Sequence, residues 1–177
     1  MHTPTSMRET LQLLWNNHHI LIDQVDLEVM SQRRLETLTR HGARTRPFQV
    51  SAWLARQGFF LTAWSLWEFY SHGICESLTN PVARAPHDSC VEWVRKSLAA
   101  NGEEFPEYDW FVGANSMRNL LAHCCGRVVG REPERLLARA RTAFPNLTIV
   151  QGHYISLDHP DVADLQEKIE DFIDATA

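Results

Sequence analysis

Arg118-Asn119-Leu120-Leu121-Ala122-His123 puts a permanent cation, an amide and an imidazole on one short stretch of an otherwise apolar segment. Such groups together can bind a phosphate, orient it and move a proton beside it. Polar groups are costly to desolvate unless they are paired or used, so their concentration here points to a site. On a helix turning about 100° per residue, Met117, Leu120, Leu121, Cys124 and Val128 fall on one side. Asn115, Arg118, Asn119, Ala122, His123 and Gly126 fall on the other. Asn119 and His123 are i and i+4 neighbours, and the long stem of Arg118 reaches the same anion. Ala122 and Gly126, small and central, leave room for a backbone or a ligand. The simpler reading is a solvated face with Arg118 paired to an acid. Against it, the face carries no Glu or Lys, and Trp110, Phe111, Cys124 and Cys125 flank it.

The elements that must position these groups read as helices. Ser6-x-x-Glu9 is a capping box, followed by Leu11, Leu14, Trp15, His18, Leu21, Ile22, Val25 and Val29 at three-four spacing toward His41-Gly42. A basic run closes this helix: Arg33, Arg34, Arg40, Arg44 and Arg46 against Glu36. Pro47 opens a second long helix to about Leu78, rich in Trp and Phe. A helix so apolar on most sides belongs in the middle of a bundle or at a subunit interface. Ser89-x-x-Glu92 caps a third helix, stopped by Asn101-Gly102. Pro106 and Asp109 precede the fourth, which holds the motif. Glu132-Pro133 begins a fifth, broken at Phe144-Pro145-Asn146. Leu147–Val150 and Tyr154–Leu157 flank Gln151-Gly152-His153 and read as a hairpin. Asp158 to Pro160 opens a final helix with Val162, Leu165, Ile169, Phe172 and Ile173 on one face. The expectation is an all-α bundle with a small β-hairpin before the C-terminal helix. Residues 1–46 would form a helical extension packed on a core of 47–177.

The chain has 177 residues and a formal net charge of -5, which fits one folded unit and excludes a basic nucleic-acid coat. All of its 17 cationic residues except Lys96 and Lys168 are arginine, the residue suited to bidentate phosphate pairing. No cationic leader with an apolar stretch is evident at the start, and no window is long enough to span a membrane. A cytoplasmic protein is expected. His72-x-x-Cys75 has ligand-like spacing, but Cys90 and Cys124 add no recognisable zinc pattern, so no metal is assigned. The absence of a Glu-x-x-His pair excludes a di-iron bundle. Arg131, Arg135 and Arg139, at i, i+4 and i+8, with Arg127 before them, form either a path for an RNA backbone or a solvated face paired with Glu132 and Glu134. His18-His19 and His153 receive no role, His153 being expected to lie exposed in the hairpin turn.

The Arg-Asn-x-x-x-His motif in a late helix resembles the Arg-x(4 to 6)-His signature of the HEPN superfamily, over roughly residues 50 to 175. Trp67-Glu68-Phe69 is similar to the aromatic-flanked glutamate that many HEPN proteins carry on a long helix. The order of motif helix, short hairpin and final amphipathic helix also looks like the compact single-domain HEPN proteins. The resemblance implies an HEPN-like bundle acting as a homodimeric, metal-independent RNA endonuclease, without cofactor, of toxin or antiviral type. His123 would be general acid or base, Arg118 would hold the scissile phosphate, and Asn119 would orient either. Glu68 and Asn115 would support them, Glu68 by pairing with Arg118 or Asn119, or else with His72 at i+4. Partners would be single-stranded RNA or tRNA, a second copy, and an antitoxin or other regulatory protein, with no membrane. A non-catalytic HEPN module that dimerises and binds a partner or nucleotide is the closest alternative. A helical adaptor without a nucleic-acid role is the third reading.

Overall fold

The computed structural model describes residues 4–39, 46–150 and 152–177, with side chains described for 4–22, 53–150 and 152–177. Its elements run α1 (Pro4–Thr39), α2 (Arg46–Ser77), α3 (Cys90–Ala100), α4 (Tyr108–Cys124), α5 (Arg131–Ala143), β1 (Thr148–Val150), β2 (Tyr154–Ser156) and α6 (His159–Ala175). The expected all-α class with a small hairpin before the last helix is what the chain adopts.

Local signals set the starts of α3 and α6. Ser89 Oγ accepts the Glu92 amide at 3.2 Å and caps α3. Asp158 and Asp161 cap α6 reciprocally, with Pro160 in its first turn. Two expectations are corrected. The first helix begins at Pro4 rather than at Ser6, so Ser6-x-x-Glu9 lies within its first turns. A proline in the first turn loses no helical hydrogen bond, which lets the helix start there. Asp109 lies inside α4 rather than before it, next to the dipole's positive end. The expected stop at His41-Gly42, Arg40 and Arg44 lie outside the described residues, as do the side chains of Val25, Val29, Arg33, Arg34, Glu36 and Arg46.

α2 lies in the middle of the bundle, packed by α1, α3, α4 and α6. Its buried ridge of Phe60, Trp64 and Trp67 carries the core. Trp67 stacks on Phe111 of α4 at 4.9 Å and meets Phe172 of α6 edge-on at 5.7 Å. The expected face of α6, Val162, Leu165, Ile169, Phe172 and Ile173, is entirely buried. Met7, Leu11 and Ile22 of α1 are buried too, and Arg8 pairs with Asp174 of α6. Leu21, expected on the packed face of α1, is 47% exposed. It turns away because His18 and Ile22 take the inward positions.

His18 is buried among Trp15, His19 and Phe59. Burial, and then His19, Arg56 and His159, hold its pKa down to about 4. Unfolded, it titrates near the ordinary 6.5, so between these values the unfolded chain binds the extra proton. The contribution of His18 to stability is therefore present above about pH 6.5 and is lost as pH drops toward 4. Urea unfolding at pH 7 and pH 5 will show this loss, and His18→Gln will flatten it.

α4 and α5 approach most closely at Gly113, where an added Cβ would lie 2.7 Å from Thr142 Oγ1 and 2.9 Å from the Ala143 amide nitrogen. In an open helix Gly→Ala gains roughly 0.5–1 kcal/mol. Here the methyl meets backbone, and overpacking costs about 1–3 kcal/mol. Gly113→Ala will therefore lower the unfolding free energy, a sign that denaturant titration reads directly.

Candidate functional site

α4 carries Asn115, Arg118, Asn119 and His123, and three anchors hold it. At its start, the Tyr108 hydroxyl donates to Glu92 Oε2 at 2.8 Å. Along its length, Trp110 Nε1 donates to Asp164 of α6 at 3.0 Å. At its end, the chain turns left-handed at Cys125 (φ 49°) and Gly126 (φ 70°), and both amides bond to the Leu120 carbonyl. Gly126 is required there. Besides its positive φ, an added Cβ would meet Gln57 Nε2 at 3.1 Å and Ile155 Cγ1 at 3.3 Å.

The segment after this turn pairs with β2. Ile155 N–H bonds to Gly126 O at 2.9 Å, and Val128 N–H to His153 O at 2.7 Å. The wheel placed Gly126 and Val128 on the motif helix. They lie beyond its end, because the left-handed turn at Cys125 redirects the chain onto the hairpin. β1 and β2 pair antiparallel with Ile149 opposite Ile155. His153, expected exposed, is half-buried with its ring 4.5 Å from that of Tyr154.

Arg118 is the hub of the polar face. Its Nη1 donates to Asn119 Oδ1 at 3.0 Å and lies 3.4 Å from His123 Nε2. Its Nη2 lies 4.0 Å from Glu68 Oε2. The other oxygen of Glu68 accepts Trp64 Nε1 at 3.0 Å. Arg118, Asn119, His123 and Glu68 are thus brought together. No direct hydrogen bond joins Asn119 to His123; the guanidinium links them. Glu68 takes Arg118 and Trp64 as partners, while His72 pairs with Glu76 at 3.4 Å. The expected alternative of Glu68 with His72 is corrected on that ground.

Arg118 opens into a cleft of about 550 Å³. Asn115, Asn119, Glu68 and Phe69 line it, with His72, Arg84, Ser89 and Cys90. His123 is outside that lining, exposed in the last turn of α4. The buried Cys90 thiol is pushed up to about 12, by burial first and by Glu68 second. It is protonated at neutral pH and is no nucleophile there. Among the described residues no three His, Cys, Asp or Glu side chains are grouped to hold a metal ion.

Arg127, Arg131, Arg135 and Arg139 are all exposed. Arg135 pairs with Glu132 at 2.6 Å, as the solvated-face reading has it. Their helix packs on the Gly113 side of α4. Arg118 lies five positions after Gly113, which turns that side about 140° away. The sequence gives no sign of Arg84 or Cys90 in this cleft, and only an i, i+4 spacing as a sign of the Trp64–Glu68 hydrogen bond. Arg84 sits in a connection with no such spacing.

Cys125 bears a Cβ in the left-handed region, which costs roughly 1–2 kcal/mol. Glycine removes that cost and adds about 0.5–1 kcal/mol of unfolded-state entropy. Cys125→Gly will stabilise the fold by up to about 1 kcal/mol, read as a higher melting temperature. No family model matches the chain, and no curated protein or solved structure matches it either.

Proposed function

We propose that this chain is a metal-independent RNA endonuclease of the HEPN type, acting as a homodimer with a composite site. The observation that carries the reading is one guanidinium, Arg118, in reach of Asn119, His123 and Glu68 at the edge of a cleft. An arginine held by an amide and a carboxylate is oriented before a phosphate arrives, and it keeps donors to spare.

The chemistry follows from these groups. An imidazole takes the proton of the ribose 2′-hydroxyl, whose oxygen attacks the adjacent phosphorus. The bond from phosphorus to the 5′-oxygen breaks, and a second, protonated imidazole gives that oxygen its proton. The products are a 2′,3′-cyclic phosphate and a 5′-hydroxyl, with no redox change and no outside nucleophile. Arg118 stabilises the charge that grows on the phosphoryl oxygens. One chain offers a single His123, so acid and base come from two copies facing across a twofold axis. The exposure of His123 supports that arrangement. A toxin or antiviral effector is the role proposed for such an activity, with an antitoxin or activator holding it in check.

In EDTA, the wild-type protein will cut total RNA or tRNA, leaving 2′,3′-cyclic phosphate ends. A general acid–base group contributes about 10²–10⁴-fold, and a charge-stabilising donor about 10²–10³-fold. His123→Ala and Arg118→Ala will each lose activity on those scales while circular dichroism and sedimentation stay unchanged. Cleavage by either variant at the wild-type rate overturns the assignment. Binding without cleavage by the wild type favours the non-catalytic module.

A further inference from the structure

The cleft beside Arg118 holds more than one phosphate needs. Its volume, about 550 Å³, falls in the range of sites for small organic ligands, roughly 300–1,000 Å³. From α2, Phe69, which is 59% exposed, lines the same cleft. On α4 itself, one turn before Arg118, the half-buried amide of Asn115 makes no hydrogen bond to the described residues. The α2–α3 connection contributes a second arginine, Arg84.

Arg84 is positioned but not neutralised. Its Nε donates to the Asp88 carbonyl at 3.2 Å, and its guanidinium lies 5.9 Å from the Trp93 ring. The carboxylate of Asp88 is taken by Lys96 at 2.8 Å. Glu68, the one carboxylate in the cleft lining, is held by Trp64 and faces Arg118. Glu76 outside it pairs with His72. The cleft therefore offers two cations from separate elements, an exposed phenylalanine, and an amide without a hydrogen bond to the described residues.

We propose that this cleft seats the nucleotide next to the scissile phosphate, with its base against Phe69, the base edge on Asn115 and the following phosphate on Arg84. The identity of the ligand as RNA rests on the nuclease reading; the shape and chemistry of the seat do not. A base stacks on an aromatic side chain only when it has left its own stack, and duplex RNA presents its bases closed. The substrate is thus single-stranded at the cut.

The test uses the full-length protein and a labelled single-stranded RNA of mixed sequence carrying 2′-fluoro groups, which has no 2′-hydroxyl to attack. Arg84→Ala will weaken binding about tenfold and reduce the slope of log affinity against log salt by about 0.7. Phe69→Ala will weaken it about tenfold as well, with the salt slope unchanged. On unmodified RNA both variants will raise KM and leave kcat within about twofold. The fully paired duplex of the same sequence will compete poorly.

Unchanged affinity in both variants, or equal binding of the duplex, overturns the nucleotide seat. Cleavage by wild type with KM unmoved in both variants overturns the seat and leaves the nuclease standing. Wild-type binding that the variants weaken, with no cleavage of unmodified RNA, upholds the seat and removes the nuclease. Wild type that neither binds nor cuts removes both.

Discussion

The buried ring of Trp67, stacked on Phe111 and edge-on to Phe172, fixes how α2, α4 and α6 sit together. Two helices in such aromatic contact cannot slide without opening a void, and losing a buried Trp or Phe costs about 3–5 kcal/mol. The site inherits this rigidity by simple offsets. Glu68 follows Trp67 directly, at the margin of the buried ridge. Arg118 is seven residues after Phe111, which brings it within about 20° of the same helix face. A core contact thereby sets the distance between a carboxylate and a guanidinium that both face the cleft.

The carboxylate networks around Glu92 and Glu68 differ in kind. Glu92 is bound by Arg95 at 2.7 and 3.0 Å and by the Tyr108 hydroxyl at 2.8 Å. Those hydrogen bonds, Arg95 first, hold its carboxyl down to about 2. That cluster joins α3 to α4 and is saturated. Glu68 and Arg118 stand 4.0 Å apart with about a third of each side chain open to solvent. A pair so loose contributes about 0–1 kcal/mol to stability. It orients the guanidinium without consuming it, which suits a group that must still meet an anion.

Much of this was legible in the sequence, and the failures have physical causes. Spacing alone found the inward face of α6 and the cap at Ser89, because periodic burial and side-chain capping are local events. It placed Arg118, Asn119 and His123 together because they lie within one and a half turns. It put Gly126 and Val128 on the wrong element, since the left-handed turn at Cys125 occurs at a residue that rarely adopts it. The cleft was invisible for a different reason. Arg84 comes to it from a connection whose path depends on how α2 and α3 pack, and no periodicity encodes that. The partner of Glu68 was an open choice until α2 and α4 were docked.

The strand-like segment after α4 has a consequence for how this surface tolerates change. The end of the motif helix is tied to the hairpin by amide–carbonyl bonds, at Gly126–Ile155 and Val128–His153. Main-chain bonds do not depend on which side chains are attached. Arg127 and His153 can therefore change identity, proline excepted, while the imidazole one turn upstream keeps its address; Val128 and Tyr154 also pack, on the core and on Trp53. Gly126 has no such latitude, because neither its backbone angle nor its neighbours admit a side chain.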